Sequence, residues 1–83
     1  MVFTKRHSDW EKAFPIYEEL VRQLAGAGSV NDKFIYTLRL GICAVHLKKL
    51  QDGINSLSIA YKINPSSFEV NYYLGLACFY SEQ

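Results

Sequence analysis

The chain has 83 residues, 49% hydrophobic and 20% charged, a composition that supports one folded core and excludes two. Nine Lys and Arg against eight Asp and Glu give a formal charge of +1, too weak a field to favour nucleic acid or an anionic membrane as partner. No apolar run approaches the roughly 18 residues of a membrane span, residues 1–10 carry no secretory h-region, and two cysteines are too few for a disulfide framework. The sequence therefore reads as a small cytoplasmic domain.

The first predicted helix covers about residues 8–25, where Trp10, Ala13, Phe14, Tyr17, Leu20, Val21 and Leu24 recur at steps of three and four. Ser8 and Glu11 have capping-box spacing, the hydroxyl accepting from an orphan amide while the carboxylate reaches back. Pro15 falls inside this pattern. Either the helix bends there, or Pro15 is the first position of a helix that begins late. A loop follows at residues 25–29, marked by Gly26 and Gly28.

The second predicted helix spans about residues 32–47 with Asp32 as N-cap, and the third about 51–63 with Gly53 near its start. The break at Pro65 precedes a fourth, about 67–81, capped by Ser66 or Ser67. The connections are short, which favours antiparallel neighbours, and no alternating strand-like run intervenes. The expected fold class is all-α.

Internal repetition sharpens this expectation. Sliding the chain by 34 residues aligns Phe34 with Phe68, Leu40-Gly41 with Leu74-Gly75, Ile42 with Leu76, Cys43 with Ala77, Ala44 with Cys78 and Val45 with Phe79. A period near 34 is that of an antiparallel helix-turn-helix solenoid, and small residues such as Gly41, Ala44 and Ala60 let crossing helices approach.

On these residues the chain resembles the tetratricopeptide repeat family. Residues 34–65 look like one complete repeat through Leu40-Gly41, Ala44, Leu47, Leu50, Gly53, Leu57, Ala60 and the closing Pro65. Thr37, Ala44 and Gly53 depart from the family's aromatic, tyrosine and alanine at those places. Residues 68–81 resemble the first helix of a further repeat, and residues 8–25 the second helix of a degenerate preceding one. Trp10, Ala13, Tyr17 and Leu20 match Leu50, Gly53, Leu57 and Ala60 six residues beyond the period, a surplus absorbed by the Gly/Ala loop.

Chemistry-bearing constellations are missing from the sequence. His7 and His46 stand far apart with no ligand-spaced partners, so no metal site is expected and His46 is read as a solvated helix-end residue. Cys43 and Cys78 occupy small-residue positions and are read as inert core thiols. Gly26 and Gly28 lack the strand and Lys-Ser/Thr of a phosphate loop, and Glu18-Glu19 reads as a solvated pair. No catalytic residue, cofactor or small-molecule substrate is expected, and the chain is read as not an enzyme.

The resemblance implies instead a concave protein-binding groove. It maps the partner-binding positions to Ile35, Leu38, Ile42 and Val45 on the second helix and to Tyr72, Leu76, Phe79 and Tyr80 on the fourth, with His46 and Glu69 also inward. The Lys/Asn clamp by which some relatives hold a carboxylate is absent, because its places carry Leu38, Arg39, Ile42 and Tyr72. An apolar helix or extended segment of another protein is the expected ligand, held by a small chaperone or adaptor. Against this stands the apolar character of the fourth helix on nearly all sides. It equally suits a structural fragment of a longer scaffold, packed on neighbouring repeats or on a second copy of the chain. With that helix uncovered, the isolated chain is expected to oligomerise or aggregate.

Overall fold

The computed structural model describes residues 7–26 and 28–82, the side chains of His7 and Ser8 excepted. Four α-helices account for most of them: α1 (His7–Leu24), α2 (Val30–His46), α3 (Leu50–Ile63) and α4 (Phe68–Ser81). No strand occurs among the described residues, so the chain is all-α.

Local chemistry sets the helix ends. Ser29, not Asp32, caps α2: its hydroxyl accepts from the Asp32 amide at 3.0 Å. The helix thus starts two residues earlier than the sequence suggested, leaving Asp32 in the first turn, where a carboxylate complements the helix dipole. Ser67 caps α4, accepting from the Val70 amide at 3.4 Å. Pro15 lies in the interior of α1, which rules out a late start there. The expected capping box at Ser8 falls outside the described side chains.

Lys48 makes the turn from α2 to α3. It adopts a left-handed conformation, φ 61°, unusual for a residue with a side chain. Its amide donates to the Val45 carbonyl at 3.1 Å, and the next amide, of Lys49, donates to Ala44 at 2.8 Å. These two bonds form a Schellman closure, which satisfies carbonyls that the helix end would otherwise leave orphaned. The Lys48 ammonium lies 3.6 Å from the centroid of the Tyr80 ring, a cation–π contact that ties this turn to α4.

Each helix packs on the next in the chain, and α4 also reaches back to α2. One buried cluster joins Leu38 and Val45 of α2, Leu57 and Ala60 of α3, and Val70 and Ala77 of α4. A second joins Phe14 of α1 to Leu40, Cys43 and Ala44 of α2. Small residues decide how closely α2 and α3 approach. A Cβ at Gly53 would fall 3.1 Å from Val45 Cγ2, and one at Gly41 would strike Leu57. Gly53 therefore lies inside α3 as a packing residue rather than marking its start.

Candidate partner-binding groove

Because α2 is flanked by α1 on one side and α4 on the other, its residues at 39, 42, 43 and 46 face a groove between those helices. Trp10 and Tyr17 of α1, Arg39, Ile42 and Cys43 of α2, and Glu69 of α4 line a cleft of about 230 Å³. This is below the roughly 300 Å³ at which small-molecule sites begin, but it accommodates an anchoring side chain of a peptide. A wider recess of about 520 Å³ runs along α1, rimmed by Glu18, Glu19 and Arg22. There Glu19 already pairs with Arg22 and accepts from Gln23 at 3.1 Å, so that surface is an ordinary solvated helix face.

Aromatic rings form a continuous path across the groove. Trp10 stacks on His46 with centroids 4.1 Å apart and planes 6° from parallel. His46 meets Tyr73 of α4 at 6.0 Å, where the path ends; on the far side of Tyr73, Tyr72 of the outer face meets it edge-on at 5.0 Å. His46 is exposed at the helix end, as the sequence suggested, and one face of its ring is in addition stacked on Trp10. Burial, reinforced by the positive charge of Lys48, lowers its pKa below the usual 6.5. Burial likewise raises the Tyr73 phenol above its ordinary value, so it stays protonated and able to donate.

Arg39 supplies the groove's cation. Interaction with the Tyr17 hydroxyl holds its pKa above the ordinary value against the opposing effect of burial, and Glu69 adds longer-range attraction. The cleft therefore has Trp10, Tyr17 and Ile42 as walls, with one positive and one negative group at its rim. Among the described residues, no group of three or more His, Cys, Asp or Glu is placed to hold a metal ion.

The eight positions that the resemblance mapped to one groove divide among the cleft side, the core and the outer face of α4. Ile42 lines the cleft. Leu76 and Tyr80 are half-buried against the same core as Ile42, and Ile35 is half-buried on α2. Leu38 and Val45 do not face a groove. They are 7% and 2% exposed, sealed in the core with Leu57 of α3. The physical reason is angular: Leu38 and Val45 share a helical stripe with Gly41, and Gly41 is where α3 crosses. By the same geometry Tyr72 and Phe79 lie on the outer face of α4, 52% and 56% exposed, away from the cleft.

Two further readings need correction. Cys78 is exposed, so only Cys43 is a core thiol. Trp10 and Tyr17, assigned from the sequence to packing alone, are half-exposed walls of the cleft. Their spacing of seven residues on one face of α1 was the available signal.

No helix among the described residues is long and apolar enough to cross a membrane. Comparison with family models, with curated proteins and with solved structures returned no match, so the fold and the groove rest on the residues themselves.

Proposed function

We infer that the chain is a non-catalytic protein-interaction module built from tetratricopeptide-like helical hairpins, working in the cytoplasm as a small chaperone or adaptor. It holds an apolar helix or extended segment of a partner in the groove formed by α1, α2 and α4. The observation that carries this reading is the cleft bounded by the Trp10, Tyr17 and Ile42 side chains and flanked by Arg39 and Glu69. Aromatic and Arg side chains in such a setting are the kind that dominate peptide recognition. The packing of α4 on both α3 and α2 supports the repeat-like arrangement.

Selection of a displayed random-peptide library on the protein tests the reading. Peptides with a large apolar anchor should be enriched, and Ile42→Glu should weaken them at least about tenfold, or 1.4 kcal/mol, while far-UV helicity is retained. No enrichment, or binding indifferent to Ile42→Glu, would contradict it. Leu38→Glu is unsuited to this purpose, because it buries a charge in the core and unfolds the protein.

One observation favours a second reading, that of a structural segment of a longer helical array. The outer face of α4 is apolar and bare, as a face awaiting a neighbouring repeat would be. Under that reading the groove selects no peptides.

A further inference from the structure

The outer face of α4 carries Phe68, Tyr72, Gly75 and Phe79, spaced four, three and four residues apart and therefore on one stripe. Phe68 is 80% exposed and the other two rings more than half. Gly75 between them is a notch, since a Cβ there meets nothing within 4 Å. Thirty-four residues earlier the corresponding stripe of α2 includes Leu38, Gly41 and Val45, all buried beneath α3. The face that a helix covers on α2 is uncovered on α4.

The order of residues along the stripe says what fits it. The point midway between Tyr72 and Gly75 is also midway between Phe68 and Phe79. A two-fold axis through that point pairs an antiparallel copy of α4 so that Tyr72 sits across from the partner's Gly75, and Phe68 across from the partner's Phe79. Knob meets notch twice, as an isologous contact requires. A parallel pairing would instead set ring against ring and leave a void where the two glycines meet. No charged residue lies on the stripe between Phe68 and Phe79, and in the antiparallel arrangement Glu69 flanks the partner's Leu76 rather than its Glu69. The exposed face of α3 mixes Gln51, Asp52, Asn55 and Lys62 with Ile59 and Tyr61, and it carries no such alternation of ring and notch.

We propose that the outer face of α4 is a self-association surface, on which a second copy of this chain packs its own α4 antiparallel with Tyr72 of each filling the Gly75 notch of the other. This surface is distinct from the groove, and the inference does not rest on groove binding. Each ring has roughly 150–250 Å² to bury, so the three, exposed by half or more, supply roughly 300–400 Å² per copy. In total that is well below the roughly 1,200 Å² of stable specific interfaces, so the contact is a weak one and the dimer forms only at high concentration and dissociates on dilution.

Sedimentation from low micromolar to millimolar protein should show a monomer–dimer equilibrium that goes no further, because a two-fold contact closes. Gly75→Gln fills the notch at a site where the monomer has free space, so helicity is kept while the dimer weakens at least about tenfold. Asn71→Cys tests the direction of pairing. Position 71 lies on the same edge as the partner's Cys78, whereas the two native Cys78 thiols stand about 13 Å apart along the axis. Mild oxidation should therefore cross-link Asn71→Cys between copies far faster than it cross-links the wild type. A monomer at every concentration, an open-ended assembly, a Gly75→Gln protein that dimerises like the wild type, or equal cross-linking would each overturn the proposal.

Discussion

Leu57 of α3 fills the place that a side chain at Gly41 of α2 would need: a Cβ built there falls 2.6 Å from the leucine Cγ. Leu57 is fully buried, so it has no free direction in which to move. Gly75, at the equivalent place on α4, has open space instead.

The same substitution should therefore have opposite effects at the two glycines. Gly41→Ala gains about 1 kcal/mol of helix propensity but meets overpacking that costs about 1–3 kcal/mol, leaving a net loss of up to about 2 kcal/mol. Gly75→Ala keeps the propensity gain and should stabilise by about 1 kcal/mol. Urea unfolding of the two variants checks this at a protein concentration where the chain is monomeric. Equal effects would mean that α2 and α4 do not differ in cover.

Pro15 in the interior of α1 has no amide to donate to the helix ladder. Its ring is exposed, so replacing it removes no buried packing. Pro15→Ala should restore the donor and raise stability by about 1–3 kcal/mol, after allowing for the added freedom of the unfolded chain. Thermal unfolding followed by circular dichroism reads the change. A lower melting temperature would show that the proline is accommodated by strain-free geometry and aids the fold.

His46 titrates below 6.5 because burial disfavours its charge, with Lys48 adding repulsion. The unfolded chain takes up this proton first as pH falls. The histidine's contribution to stability is therefore intact above 6.5 and is lost as pH drops through 6.5 toward the folded-state value. An NMR titration should give a midpoint under 6.5, and Trp10→Ala, which removes the ring stacked on the imidazole, should return it toward 6.5. A wild-type midpoint at or above 6.5 would contradict the burial argument.

The sequence made much of this architecture legible through punctuation and period. Pro65, the Gly/Ala loop and the three- and four-residue apolar steps located all four helices, and the 34-residue offset placed Gly75 on the same face of its helix as Gly41. What it did not disclose were facts of direction. Asp32 and Ser29 are both good caps, and only the backbone shows which hydroxyl or carboxylate reaches an open amide. Leu38 and Val45 look like groove residues until Gly41 is recognised as the crossing point of α3, which drags its whole stripe into the core. Cys78 lies one position off Cys43 in the repeat, at the place of buried Ala44, yet it is exposed because no helix follows on that side among the described residues.

That difference also provides the most direct test of the central claim, that α4 presents without cover the face α2 buries under α3. Cys78 stands where Ala44 stands in the earlier helix, and Ala44 is wholly buried. In dilute, monomeric protein, alkylation should modify Cys78 at the rate of a free thiol, while Cys43, 1% exposed, reacts only through opening of the fold. Comparable rates for the two thiols, or a protected Cys78, would contradict the account.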